Sequence, residues 1–556
     1  MTSAVSAATA SPELTGRDVR VLSWQIYLSL IVLAVGLLAG LAQALDRVLP
    51  ASSSLWRFFP LQQNYYQGLT MHGVLLALLF TFAFSNGFMS LVLARSLRRP
   101  PNFPLILGSL ILIVVGSVMA GWQIVANKAS VLYTMYPPLQ ATWIYYLGLV
   151  LVVVSTWLTA LNVVLGYRAW RREHPVERIP LPAYGVVATY VMWFIASLGL
   201  AVLTLGLLLP WSLGWIDAID PQLARTLFWF SGHPVVYFWL LPAYVSWYVM
   251  IPAQVRGKIF SDALARFVFA LFLVLSIPTG FHHQYTDPGV DPRMKAVQAV
   301  ITFAIFFPSM ITAFSLAAAL EIGGRRAGGR GLLGWIRKLP WGDPSVTAQL
   351  LAMLGFVLGG ISGLINASYT VNLVVHNTAW VPGHFHLTVG TAVALSFMGI
   401  TYWLLPHLTG RSLRGRRVAL TQAWLWLAGV LLMSRGLIDA GLRGEPRRMN
   451  VSAMTYDLGG QELAHWMTAV GGVLMFVSGV LFFVVVIWTL SRGAKGTLVE
   501  MPICEEYVSG PHETSAVLDR WPLWIGIAVV LTLIAYGPYF LTYTPNFVAP
   551  GWAPWG

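Results

Sequence analysis

The stretch FPLILGSLILIVVGSVMAGWQIVA (residues 103–126) runs 24 positions without a charged side chain. About 20 apolar residues at 1.5 Å rise cross the hydrocarbon layer, and backbone in lipid must pair its own polar groups, so the stretch reads as a membrane-crossing helix. The pattern recurs. Thirteen runs qualify: 21–45, 67–94, 103–126, 140–166, 184–212, 225–252, 264–284, 296–320, 346–368, 376–405, 418–441, 463–490 and 521–545. Composition agrees: of 556 residues, 57% are hydrophobic, 10% charged and 13% aromatic, whereas a water-soluble domain is about one quarter charged. A cytosolic enzyme, a disordered chain and a secreted disulfide scaffold are excluded. The fold class is all-α, a polytopic membrane helix bundle.

An odd helix number puts the termini on opposite sides, and the basic residues say which is which. Arg325, Arg326, Arg330, Arg337 and Lys338 share one loop, and Arg411, Arg414, Arg416 and Arg417 another. The loops on this side hold most of the 34 Lys and Arg, so it is the inner one, with the N-terminus inside and the C-terminus outside. The net charge of +13 reflects this bias and a lipid bilayer as surroundings, with no nucleic-acid partner. Residues 1–20 lack a basic segment followed by an apolar run and cleavage site, and read as a cytoplasmic tail. Residues 21–545 form the transmembrane domain and 546–556 an outer tail. The longest extramembrane pieces, 442–462 and 491–520, are connectors.

A single cysteine, Cys504, cannot build a thiolate metal site, which leaves the eleven histidines as candidate ligands. Six of them share one depth in the outer half of the membrane. His72 lies about one turn into the second span, His233 two turns into the sixth, His384 and His386 two turns into the tenth, and His282 and His283 at the outer end of the seventh. Polar side chains in a membrane are costly and mark functional sites. His384 and His386 are separated by about 200° around a helix, so they serve separate centres on opposite flanks. Neutral imidazole suits haem iron and copper. His282 and His283 follow Pro278 and Gly280 and can reach one ion together; with His233 they make a three-imidazole site suited to copper or zinc.

Tyr237 lies one turn deeper than His233, and Tyr244 and Tyr248 extend the stripe inward. Ser309, Thr312 and Ser315 lie at matching depth on the eighth span. The hydroxyls form a candidate proton route to Tyr237, although such groups also bond their own i−4 carbonyls or glue helices together.

The motifs WFSGHPVVY (229–237), TGFHHQ (279–284) and VPGHFH (381–386) closely resemble those of the catalytic subunit I of haem–copper oxygen reductases. Val235 and the Tyr244, Tyr248, Ser309 and Thr312 track resemble the B family. The resemblance implies His72 and His386 as axial ligands of a low-spin haem b and His384 as ligand of a high-spin haem of A, O or B type, with A favoured. It implies one copper ion on His233, His282 and His283, with Tyr237 joined covalently to His233 and catalytic alongside it. Arg447 and Arg448 match a pair that binds haem propionates, and His376 a residue beside them. Asn372 stands where related sequences can carry Asp, which puts in doubt a pumping scheme that loads a proton on that carboxylate. His174, His407, His465 and His512 receive no role.

The implied activity is reduction of O2 to water in a bacterial plasma membrane, with protons drawn from the cytoplasm and further protons pumped. The implied partners are a subunit II carrying a binuclear copper centre, cytochrome c as donor and a small single-helix subunit. Rival readings are a nitric oxide reductase-like enzyme and a purely electron-carrying cytochrome b; neither explains Tyr237 beside three imidazoles. Substituting His72→Ala is expected to abolish the low-spin haem band in reduced-minus-oxidised spectra.

Overall fold

The computed structural model describes residues 14–49, 59, 61–454 and 459–546. Twelve continuous helices are long and apolar enough to cross a membrane, and a bent pair makes the thirteenth span. We label them α1 (Gly16–Leu45), α2 (Tyr65–Leu97), α3 (Phe103–Val125), α4 (Trp143–Glu173), α5 (Leu181–Ser212), α6 (Pro221–Gln254), α7 (Asp262–Leu275 with Ile277–Gln284), α8 (Pro292–Arg326), α9 (Pro344–Ala367), α10 (Trp380–Thr409), α11 (Arg416–Leu442), α12 (Glu462–Arg492) and α13 (Trp521–Asn546).

Most span ends differ from the sequence reading, and two of them have a clear local cause. α1 starts at Gly16 rather than residue 21 because Thr15 and Asp18 form a capping box that pairs its first free N–H groups. α10 starts at Trp380 rather than 376, since His376 is extended and Asn377 has φ +57°. His384 therefore lies one turn, not two, inside its helix. Of the expected tails, residues 1–13 and 547–556 lie outside the described residues.

The spans that carry the expected ligands form the centre of the bundle. The apolar windows of α2 and α6 are 89% buried and that of α10 is 83%, against 28% for α13. Each central helix departs from regular geometry near a histidine. π-turns at Leu75–Phe80 and Thr388–Val393 follow His72 and His386, and the Thr391 hydroxyl pairs the His386 carbonyl at 2.9 Å. In α6, Pro234 lacks an N–H and divides the helix at His233. In α7, a 55° bend leads into 3-10 geometry at Ile277–Gln284. A Cβ at Gly280 would collide with the Trp229 carbonyl, so glycine lets the bend press against α6.

At the inner face, strands β1 (Ile259–Ser261) and β2 (Tyr507–Ser509) pair in parallel and tie the 493–520 connector to the bundle. Buried Arg266 bridges Asp262 at 2.7 Å and Asp519 at 3.2 Å beside them. At the outer half, α11 and α12 cross on glycines: a Cβ on Gly471 would lie 2.6 Å from the Gly429 carbonyl and closer still to the Met433 amide. Gly471→Leu is expected to cost about 1–3 kcal/mol by overpacking and to lower the thermal midpoint in detergent. Gly526→Leu on α13, where a Cβ meets nothing within 4 Å, is expected to leave it unchanged.

Candidate metal centres

His72 and His386 face one another across a cavity of about 280 Å³, their rings 6.2 Å apart between centroids and 16° from parallel. Two imidazoles, each about 2 Å from a shared metal through Nε2, have centroids about 6 Å apart. The other nitrogen of each ring is already engaged. His72 Nδ1 lies 2.9 Å from the Gly36 carbonyl and His386 Nδ1 2.7 Å from the Pro382 carbonyl, so both donate there and leave Nε2 as a free electron pair. Gly40 makes room for this arrangement, since a Cβ there would lie 2.7 Å from the His72 ring.

On the opposite flank of α10, His384 opens into a second cavity of about 170 Å³. Its Nδ1 donates to Ser362 Oγ at 2.8 Å, and that hydroxyl donates on to the Gly359 carbonyl. Facing it in the same cavity are His233, His282 and His283, whose ligand nitrogens all lie within 4.8 Å of one another. Thr302 Oγ1 orients His282 at Nδ1, 3.3 Å away, and Trp229 stacks flat on His283 at 3.7 Å. His233 turns Nδ1 toward His283 Nε2 at 3.3 Å and leaves Nε2 without a hydrogen-bond partner, with the Tyr237 ring 5.0 Å away. Phe385, Val381, Val389, Val393 and Arg447 line both cavities and form the wall between them.

Arg447 and Arg448 close the outer end. Burial and then the neighbouring Arg448 charge push Arg447 down to about 10. Arg448, at φ +66°, lies 5.7 Å over the Tyr133 ring and 5.6 Å over Tyr136, and its Nη2 is buried without a partner. Two crowded guanidiniums with an orphaned donor are a site for carboxylates such as haem propionates. The nitrogen-only trio fits copper. His376 Nδ1 donates to Asn372 Oδ1 at 2.8 Å, and Asn372 Nδ2 donates to the Asn366 carbonyl at 2.6 Å. Burial first, then Arg447, Arg225 and Lys295, lower His376 to about 4, so the ring is neutral and its unpartnered Nε2 is an acceptor.

The hydroxyl stripe is assembled as well. Tyr248 donates to Thr312 at 2.9 Å and Tyr244 to Ser309 at 3.3 Å, with Ser315 buried one turn further inward. Ser309 and Tyr237 line the same cavity. Thr312 spends its own proton on the Pro308 carbonyl, so its hydroxyl must rotate before it can pass one onward.

Each candidate site residue named from the sequence thus lies at a cavity or on the stripe beneath it. Sequence reasoning gave no role to Ser362, Thr302 or the stacking face of Trp229; only the i−4 spacing of Trp229 from His233 signalled one.

The family model described as Cytochrome C and Quinol oxidase polypeptide I matches residues 20–474. The chain is 44% identical to cytochrome c oxidase subunit 1 of Thermus thermophilus, covering 95% of this chain and 96% of that protein. It is 27% identical to the alternative cytochrome c oxidase subunit 1 of Bradyrhizobium diazoefficiens, over 78% and 75%. A cryo-EM structure of a heme-copper terminal oxidase dimer superposes with a TM-score of 0.89 at 35% identity, covering 95% and 93%. Ser362→Ala strips His384 Nδ1 of its acceptor, at a cost of about 1–3 kcal/mol. A reduced CO-binding signal per protein, with the low-spin band intact, is the expected outcome.

Proposed function

Because this chain belongs to the cytochrome c and quinol oxidase polypeptide I family, and is a haem–copper oxidase subunit I of the cytochrome c oxidase class, we infer that its His233, His282, His283 and His384 cavity is where O2 is reduced to water. One observation carries this: three imidazoles within 4.8 Å of one another share a cavity with a fourth from α10 and with Tyr237.

His72 and His386 hold a low-spin haem b, His384 a high-spin haem of A, O or B type, and the imidazole trio one copper ion. When bound, these groups supply the electrons and the iron and copper that O2 chemistry needs. The protein orients them. Ser362 and Thr302 fix the tautomers of His384 and His282, Trp229 holds His283 flat, and the Arg447 and Arg448 pair grips propionates. Tyr237 holds a proton at its phenolic oxygen at the cavity edge and is joined to His233 through the unpartnered Nε2, a bond that replaces one N–H and one ring C–H while O2, the enzyme's own oxidant, takes up the two electrons and two protons released. Ser315, Thr312, Tyr248, Ser309 and Tyr244 carry protons to it from the inner, cytoplasmic side by hydroxyl rotation. With Asn372 uncharged, His376 Nε2 is the group of this chain left to accept a proton at the outer end, and proton pumping runs past it.

The single cysteine leaves entry of electrons to a partner, a subunit II with a binuclear copper centre fed by cytochrome c. A small single-helix subunit completes the complex. This multi-pass chain has its N-terminus inside and works in the bacterial plasma membrane.

Purified enzyme is expected to consume O2 with reduced cytochrome c, to be blocked by cyanide, and to hold one copper per two haem irons. Iron in place of copper would overturn the copper assignment in favour of NO reduction. The peptide pair containing His233 and Tyr237 is expected to be lighter by two hydrogens, and Tyr237→Phe to restore the unlinked mass and reduce turnover at least tenfold.

A further inference from the structure

The loop between α11 and α12 holds a carboxylate that the proposed chemistry does not use. Glu445 is fully buried at the outer edge of the bundle. Its Oε1 accepts from Arg47 Nη1 at 2.5 Å, and its Oε2 accepts from His465 Nε2 at 2.6 Å. Arg47 extends from the end of α1 and lines the same cavity as His72 and His386. His465 lies on the first turns of α12 and is 12% exposed, which gives the cluster its contact with outer solvent.

We propose that Glu445 is a positioning residue for the low-spin centre, setting the charge that Arg47 presents to it, and that His465 binds a proton when that centre is reduced.

Three features support this. First, the Glu445 backbone is tied in: the Ala379 amide donates to its carbonyl at 2.7 Å, and two residues on the Arg447 amide donates to the Asn377 carbonyl at 2.8 Å. The carboxylate therefore anchors the loop that carries the arginine pair against the start of α10. Second, the carboxylate is ionised. Burial opposes its charge, yet the hydrogen bond from His465 and the Arg47 guanidinium outweigh burial and hold it below the usual range. Third, the cluster can change charge. An ionised Glu445 only accepts, so His465 donates from Nε2 and has Nδ1 left to take up a proton.

The other groups facing the cluster do not replace it. From α1, Asp46 bonds Ser452 at 2.7 Å and is raised by burial. Tyr65 stands at the start of α2. Arg443 pairs with Asp439 on α11, Glu462 lies on the same helix as His465, and Arg447 and Arg448 line the cavity of His72 and His386.

The linkage follows from charge. With His465 neutral, Arg47 and Glu445 cancel; with His465 protonated, one positive charge remains beside the cavity and favours the reduced centre. By reciprocity, reduction of the centre favours uptake of a proton from outer solution at His465 Nδ1, and re-oxidation favours its release. Protonation is favoured at low pH, so the potential falls as pH rises.

The inference rests on the low-spin haem assignment, and a spectroelectrochemical titration of the purified complex from pH 5 to 9 separates the two. Absence of a low-spin band in the unmodified enzyme would overturn that assignment and this inference with it. With the band present, its midpoint potential is expected to fall with pH, His465→Gln to remove at least half of the slope while keeping a donor to Glu445, and Glu445→Gln to raise the potential at every pH. A carboxylate infrared band is expected to shift on reduction in the unmodified protein and to be missing in Glu445→Gln. An unchanged slope in His465→Gln, or an unchanged or lowered potential in Glu445→Gln, would overturn it. If Glu445→Gln does not fold, the slope in His465→Gln decides alone.

Discussion

A polar group placed in hydrocarbon must find its partner inside the protein, and that single constraint organises the centre of this molecule. Imidazole has two nitrogens with different needs. At His72, His386 and His384 the Nδ1–H is absorbed by a carbonyl or a serine hydroxyl of the bundle, which leaves Nε2 as the free electron pair. The bundle thereby fixes the tautomer and the ring angle before any metal arrives. The same demand explains the broken helices. A carbonyl turned aside at a π-turn is re-paired by a threonine, as Thr391 does for His386, so the irregular backbone needed to aim two histidines in opposite directions carries no unpaired group there.

The two-residue spacing of His384 and His386 then has a structural consequence beyond their opposite orientation. Because both rings spring from one turn of α10, the wall between the cavities is as thin as that helix, and Phe385 belongs to both. Two centres set on one helix at this spacing stay at a fixed separation whatever the surrounding loops do. The outer arginines repeat the economy: Arg447 lines both cavities from one backbone position.

Much of this was legible in the sequence because its signals are local. Apolar run length fixes the spans, and the depth of a histidine within a run fixes its layer, so the six imidazoles and the tyrosine stripe could be anticipated. The start of α10 could not, since the polar His376, Asn377 and Thr378 abut an apolar run on each side and only the conformations of His376 and Asn377 exclude them from the helix. Ser362 was equally hidden. It sits in a stretch of small residues on α9, and its partner lies 22 positions away on another helix. Contacts of that kind depend on helix rotation, which periodicity in an all-apolar run leaves undetermined.

The Glu445 cluster lies at the far end of that scale. Arg47 and Glu445 are 398 positions apart, and His465 sits 20 beyond Glu445, so nothing in a local window distinguishes them from solvated loop charges. What distinguishes them is burial without escape. A carboxylate with no exposed surface must be either neutral or matched, and here it is matched twice, by a guanidinium of fixed charge and by an imidazole. The fixed partner alone would serve if the cluster were merely a clamp on the loop. The imidazole adds, on the proposal above, a place for a proton beside the His72 and His386 cavity, as a fully apolar anchor at the same place could not.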